Sequence, residues 1–268
     1  MAISSSNDPP PREALRRDHA GALAKAGPTL RTALDSPTTK RAYVRRLFAT
    51  IADRYDLITV LLSFGLDRGW KRRLISLAGP LAGRRALDLA CGTGDISFKL
   101  AAHGASVVGL DITPRMVELA RAKEHPHRAR RTPRCVFLVG DMMALPFAVA
   151  EFDVVTTGYG LRNVPDLAGA IAEIHRVLRD GGVLLALDFN RPDNTAVRTV
   201  YLAYLTFVGS TLGFILHRDP DTYRYIPQSI HRYPGAVAVS EMMRRSGFAT
   251  AEWIPVLGGL MSIHVARK

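Results

Sequence analysis

Three carboxylates, Asp88, Asp111 and Asp141, each sit at the end of a short apolar run, and a glycine pair, Gly92 and Gly94, follows the first of them. Glycine lets the backbone approach a ligand closely and take turns closed to other residues. A carboxylate at a strand end can accept hydrogen bonds from both ribose hydroxyls (Asp111) or from an exocyclic adenine amine (Asp141), with Met142 and Ile112 beside them as apolar contacts. Asp88 favours a positive charge nearby. The set therefore points to a nucleoside that carries cationic groups.

A pyridine dinucleotide would call for a third glycine three residues after Gly94, and that position is Ser97. S-adenosylmethionine (SAM) has an ammonium and a sulfonium and no phosphate, and it suits Asp88, Gly92, Thr93, Gly94, Asp111, Ile112, Asp141, Met142 and Gly158 better. Taken singly, each acid is as easily a helix cap or a surface charge. Three at successive strand ends are harder to explain that way, because open α/β sheets bind ligands outside those ends.

The elements that must position these residues follow from apolar periodicity. Residues 38–78 read as helical, with Tyr43, Leu47, Ile51 and Tyr55 on one face and a second helix through Trp70, Leu74 and Leu77. Strands are expected at 85–91, 107–111, 136–139, 152–157 and 183–189, alternating with helices at 95–103, 114–123 and 165–178, the last stopped by Gly181-Gly182. Such alternation implies a parallel sheet covered on both faces. A helix at 238–245 and strands at 250–256 and 260–266 follow, the two strands antiparallel across Gly258-Gly259. The expectation is an α/β Rossmann-like fold: a mostly parallel seven-stranded sheet with its last strand antiparallel, a helical N-terminal extension and a helical insertion before the last helix.

Residues 1–37, rich in Pro and Ser without an apolar period, read as a disordered tail, and 38–268 as one domain with a helical cap at 191–235. Within the cap, 200–216 carries no charge. It falls short of the ~20 residues a membrane span needs and contains Gly209, Ser210, Thr211 and Gly213. A buried helical cap is the expectation, with a lipid-facing or lipid-tail-binding surface and a spanning helix as alternatives.

Cys91 and Cys135 are too few for a disulfide framework or a metal cluster, and read as reduced, buried thiols; no metal is expected. The 268 residues carry a formal net charge of +12. Residues 115–134 are densely basic, which reads as a solvated face or an anionic-lipid contact. No basic recognition helix or interleaved aromatics suggest nucleic acid. No secretory signal is expected.

The block from Ala86 to Asp111, with Asp141, resembles the class I SAM-dependent methyltransferases. The flanking segments resemble the quinone-biosynthesis C-methyltransferases, the demethylmenaquinone and ubiquinone-pathway enzymes. The segments are Tyr55-Asp56-Leu57, Leu62-Ser63-Phe64-Gly65, Arg68-Gly69-Trp70-Lys71, Gly160-Leu161-Arg162-Asn163-Val164, Arg176-Val177-Leu178, Ser229-Ile230, Tyr233-Pro234 and Ser246-Gly247-Phe248. The chain departs from the family pattern where Ile58-Thr59 replaces Met-Asn, where Gly158-Tyr159-Gly160 replaces Ser-Phe-Gly, and where Leu187-Asp188-Phe189-Asn190 replaces Leu-Glu-Phe-Ser. The last change, with Gly258-Gly259-Leu260-Met261, resembles the naphthoquinone branch of photosynthetic lineages.

The resemblance implies C-methylation of a lipid-soluble quinol, and active-site roles for Tyr55, Arg162 and Asn163. Arg162 would stabilise a developing phenolate or orient a water, since a guanidinium stays protonated. Asn163 would hydrogen-bond a ring oxygen and Tyr55 would close over the reactants, whereas His231 and His264 read as structural. It also implies a cytoplasmic enzyme peripheral at the inner face of the membrane, and leaves a homodimer open. Two rivals remain: a methyltransferase for a soluble small molecule, and a binding protein that keeps the fold without turnover.

Overall fold

The computed structural model describes Leu30 and residues 36–124, 135–218 and 222–268. The expected disordered tail lies outside the described residues except for Leu30, Ser36 and Pro37, as does the stretch 125–134 of the basic run. In chain order come α1 (Pro37–Ile51), a 3-10 turn (Ala52–Arg54), α2 (Tyr55–Leu62), α3 (Asp67–Ser76), β1 (Arg85–Leu89), α4 (Asp95–Ala102), β2 (Ser106–Asp111), α5 (Pro114–Glu124), β3 (Cys135–Val139) and β4 (Phe152–Gly158). A second 3-10 turn (Leu161–Asn163), α6 (Leu167–Val177), β5 (Leu178–Phe189), α7 (Thr195–His217), α8 (Tyr225–Arg232), α9 (Ala236–Arg245), β6 (Thr250–Val256), a third 3-10 turn (Leu257–Gly259) and β7 (Met261–Arg267) complete it.

The strands form one seven-stranded sheet in the order β3-β2-β1-β4-β5-β7-β6. All pairs are parallel except those of β7, which runs antiparallel to both β5 and β6. The expected topology is therefore observed. Alternate residues of the buried strands feed two cores. Val183, Leu185 and Leu187 join the one that also holds Leu74, Leu100 and Phe137. Leu184 and Ala186 join the other, with Ile171, Ile174 and Met243. Each such fully buried side chain contributes about 1.5–3 kcal/mol relative to exposure.

Three expectations need correction. The apolar period from Tyr43 to Tyr55 does not mark one helix: the chain breaks at the turn Ala52–Arg54 and restarts at Tyr55, a break that leaves the period intact and so hides it. The helix expected at 165–178 ends at Val177, as read, but the strand expected at 183–189 starts at Leu178, which takes extended geometry and pairs with Phe152 at the start of a bulged β5. The third concerns the insertion. It is helical, but α7 is not a buried cap: of its most apolar window only 22% is buried, although by length and composition it could cross a membrane. Tyr201, Leu205, Gly209 and Gly213 form a narrow stripe, one per turn, that docks on the body, with the Tyr201 hydroxyl donating to the Leu260 carbonyl at 3.2 Å. Val200, Phe207, Phe214 and Ile215 project outward. A helix with one face packed on protein and the other bare lies along the domain.

Candidate active site

The glycine loop lies where β1 hands over to α4. Gly92 (φ 55°) and Gly94 (φ 87°) take left-handed backbone. A Cβ on Gly94 would come within 2.8 Å of the Phe98 ring and 2.9 Å of Phe137, so only glycine fits there. The turn is tied to the next strand: Asp111 accepts the Gly92 N–H at 2.9 Å on one oxygen and the Thr113 N–H at 2.8 Å on the other. Each oxygen keeps a second lone pair. Burial outweighs these two bonds and raises the Asp111 pKa.

Around this loop three hollows meet. The first, a crevice of ≈ 690 Å³, is walled by Ile112, Met116, Asp141, Met142, Asn163 and Phe48 as well as Asp111 and Gly92. The second, of ≈ 900 Å³, is polar and holds Asp56, Asp67, Lys71, Asp88, Thr93 and Asp95. The third, of ≈ 1250 Å³, is apolar and is bounded by Ile51, Ile58, Leu62, Trp70, Phe189, Leu205 and Tyr223. Tyr55 and Tyr159 line all three.

The residues singled out from sequence come together here, but several face other ways than expected. Asp88 is 1% exposed and accepts hydrogen bonds from Ser97 Oγ at 2.6 Å and Thr156 Oγ1 at 2.8 Å. Burial, against those two bonds, raises its pKa to about 6. Thr93 turns its hydroxyl to Asp56 Oδ1 at 2.6 Å, which ties the loop to α2. Asp141 accepts the Met143 N–H at 3.0 Å and pairs with Arg41 at 2.7 Å. A serine at Gly158, as in the family pattern, would bring its Cβ to 2.7 Å from the Ile96 Cδ1 methyl, so Ile96 would have to turn aside.

The expected catalytic trio is split between hollows. Tyr55 stands at the junction, where a Cβ on Gly92 would sit 3.6 Å from its ring, and burial pushes its pKa up to about 12. Arg162 lines the apolar cavity, but it is no surface ion pair. It is 4% exposed, its Nε is 3.3 Å from Asp188 Oδ1, and its guanidinium also donates to Ser229 Oγ and lies 5.2 Å from the Phe189 ring. Asn163 lines the crevice and not the apolar cavity. Its Nδ2 donates to the Tyr159 carbonyl at 2.7 Å, while Oδ1 is buried without a hydrogen-bond partner among the described residues.

His264 is buried, with Nε2 3.1 Å from the Ala236 carbonyl, and His231 is exposed on α8; neither lines the crevice or the apolar cavity. Both cysteines are free and buried. In the basic run, Arg115 pairs with Asp53 and Glu118, Arg121 caps the Phe137 carbonyl, and Lys123 pairs with Asp56.

The whole of this arrangement, residues 36–268, matches the model of the ubiE/COQ5 methyltransferase family. The chain belongs to that family. It is 41% identical over 224 residues to the demethylmenaquinone methyltransferase of Thermus thermophilus, covering 83% of this chain and 100% of the relative. It is 37% identical over 231 residues to the ubiquinone/menaquinone biosynthesis C-methyltransferase UbiE of Dinoroseobacter shibae, covering 85% and 92%. Among solved structures, a chain from the Haloferax volcanii complex of the Trm112 activator with a methyltransferase superposes with a TM-score of 0.59 at 19% identity, over 82% of this chain and 96% of that one. A SAM-dependent methyltransferase of Methanococcus maripaludis gives 0.57 at 19% identity, over 82% and 93%. At that identity the likeness is one of fold.

Further charged residues of this ubiE/COQ5 methyltransferase stand in or beside the three hollows. Asp67 and Lys71, one turn apart on α3, face the polar hollow, and Tyr159 donates to Asp67 Oδ1 at 2.5 Å. The i, i+4 spacing of opposite charges was visible, but it is ordinary on exposed helices. Nothing in the sequence showed that this pair, 3% and 7% exposed, is buried. Asp188 was noted only as a departure from the family pattern, and its bond to Arg162 links β5 to the 3-10 turn, two segments distant in sequence.

Proposed function

We propose that this methyltransferase transfers the methyl group of SAM to a ring carbon of a prenylated quinol, with demethylmenaquinol as its substrate. A ubiquinone or phylloquinone precursor is the second reading, favoured by the relative from Dinoroseobacter shibae, whose name covers both ubiquinone and menaquinone. The observation that carries the proposal is the apolar cavity of ≈ 1250 Å³ opening beside the cofactor crevice at Tyr55 and Tyr159. A soluble phenol would not need a hollow so uniformly apolar.

The crevice suits SAM. The glycine turn brings backbone close, Asp111 offers two lone pairs among apolar walls of Ile112, Met142 and Phe48, and the unpartnered Asn163 Oδ1 is an acceptor for a donor on the ligand. The Arg41 side chain paired with Asp141 is half exposed, and opening such a pair costs at most about 1 kcal/mol. Bound SAM supplies an electrophilic methyl on a sulfonium.

The protein's part is positioning and charge. Tyr55 and Tyr159 bound the passage between the two hollows, so a ring in the cavity stands in reach of the crevice; such alignment can supply several kcal/mol of a barrier. A quinone ring is too electron-poor to accept a methyl cation equivalent, whereas a quinol that gives up a hydroxyl proton to water is a competent nucleophile: its ring carbon takes the methyl, S-adenosylhomocysteine leaves, and the ring C–H proton passes to water as the oxygen regains one. Arg162, fixed by Asp188 and Ser229, sets a positive charge in the cavity wall that stabilises the phenolate.

The apolar face of α7 and the exposed Phe64, Leu66 and Leu257, which also line the cavity, support docking of its mouth on a lipid surface. The enzyme then works in the cytoplasm at the membrane face. The test is methyl transfer from labelled SAM to demethylmenaquinol against demethylated ubiquinol precursors and soluble phenols. Turnover of the naphthoquinol at least tenfold above the phenols is expected, and equal turnover of all would end the proposal.

A further inference from the structure

We propose that the Tyr159 hydroxyl, oriented by Asp67, makes the site select the reduced quinol over the oxidised quinone. The inference rests on the quinol reading above and adds the residue that reads the redox form. Tyr159 lines the crevice, the polar hollow and the apolar cavity. Its O–H donates to Asp67 Oδ1 at 2.5 Å, and Asp67 Oδ2 lies 2.7 Å from Lys71 Nζ. Lys71 is 2.9 Å from Asp95 as well.

A phenol has one hydrogen and two lone pairs. With that hydrogen committed to a carboxylate, Tyr159 offers only lone pairs to a ligand. A ring hydroxyl can donate to it; a ring carbonyl meets it lone pair to lone pair. Hydrogen-bond polarity therefore distinguishes two ligands of nearly the same shape, which apolar walls cannot do.

The surroundings keep that polarity fixed. Burial, then the Asp67 carboxylate, push the Tyr159 phenol well above its ordinary pKa, so the hydrogen stays on. Burial works against the Lys71 ammonium, but Asp67 and Asp95 overcome it and hold its pKa above the usual lysine value. The ring is also held on several sides. Tyr159 has left-handed backbone (φ 62°), rare for an aromatic residue, with its N–H on the Leu187 carbonyl at 2.7 Å. Phe189 packs at 5.6 Å between centroids, and Lys71 Nζ stands 6.0 Å from the ring centroid.

The test compares anaerobic binding of a short-tailed demethylmenaquinol and its quinone to the full chain with S-adenosylhomocysteine present. Wild type should bind the quinol at least tenfold more tightly, in line with one unsatisfied buried acceptor. Tyr159→Phe should bring the ratio within about twofold by losing quinol affinity. Asp67→Asn should reverse it, because the amide N–H can donate to the Tyr159 oxygen and free its O–H for the quinone carbonyl. If Asp67→Asn fails to fold in a thermal melt, Tyr159→Phe decides alone. A tenfold preference that survives Tyr159→Phe overturns the inference, as does equal binding of both forms by a wild type that methylates the quinol. A wild type that methylates no quinol would instead overturn the functional reading beneath it.

Discussion

The cofactor crevice is walled mostly by strand ends and the loops that follow them, with α1 closing one side; the apolar cavity beside it is walled mostly by helices, α1 to α3 from the N-terminal extension and α7 and α8 from the insertion. In the crevice, position is fixed by backbone: left-handed glycines, N–H groups on Asp111, parallel register from β3 to β5. In the cavity, position is fixed by side chains packing on side chains, with Arg162 and Asp188 as the one buried ion pair described there. Polar geometry tolerates almost no substitution, whereas an apolar wall can be rebuilt with other apolar residues of the same volume. The two regions should therefore fail differently when perturbed.

The largest effect is expected at the ion pair. Arg162→Ala would leave Asp188, 1% exposed, without its partner, and breaking such a pair costs about 3–5 kcal/mol. Lost activity in that variant would say little about chemistry. Arg162→Met with Asp188→Asn removes both charges, and should return the thermal midpoint to within a few degrees of wild type while methyl transfer stays down about 100-fold, the range for a lost electrostatic stabiliser. If the double variant regains activity as well, Arg162 is a structural residue and the phenolate role assigned to it is wrong.

Gly94→Ala comes next. The new methyl would press on Phe98 and Phe137 in a backbone state that strains any L side chain by about 1–3 kcal/mol, so SAM affinity should fall about 100-fold. Quinol affinity in the cavity should hardly move. Titration of each ligand separately checks both statements, and a parallel loss of the two would mean the hollows are one mechanical unit.

This division explains what could be read from sequence. The crevice was legible because its chemistry lies in local segments: Asp88 to Asp95 in one turn, and Asp111 and Asp141 at strand ends that periodicity marks. The cavity was only partly legible. Leu62 to Trp70 carried a family pattern, and the charge-free stretch in α7 was conspicuous. Which face of α7 would be bare depends on Tyr201 and Leu205 packing with Ile230 and Leu260 and on Gly209 fitting against Tyr223, a tertiary match that a largely apolar helix does not announce. That Asn163 and Arg162 face different hollows was hidden for a related reason: the 3-10 turn Leu161–Asn163 sends neighbouring residues to opposite sides, and single-turn geometry leaves no periodic trace.

A smaller effect is expected on the outer face. Phe207 and Phe214 are 74% and 65% exposed, and replacing both with Ser removes apolar area that would enter a lipid interface. At about 1–2 kcal/mol for the pair, binding to anionic vesicles should weaken roughly tenfold, with SAM affinity unchanged. Unchanged vesicle binding would remove the lipid-docking role from α7.

The mildest test uses acid. Burial lifts Asp88 to about 6, so lowering the pH through that value protonates it and removes a negative charge from the hollow beside the glycine loop. A cationic ligand should then lose affinity by up to about tenfold per pH unit below 6. Stability should move the other way. The folded-state pKa lies above the ordinary value of 3.8, so the folded protein holds this proton more tightly than the unfolded chain, and between pH 6 and 3.8 the group adds stability as acid is added. Asp88→Asn isolates both effects, since wild type and variant share every other titrating group. The wild-type-minus-variant difference should show SAM affinity falling and denaturation resistance rising over the same window. Quinol affinity, set by the apolar wall and by a Tyr159 hydroxyl that stays protonated throughout this window, should show no such difference; if it follows SAM down, the charge of the polar hollow reaches into the cavity and the two regions are electrostatically joined.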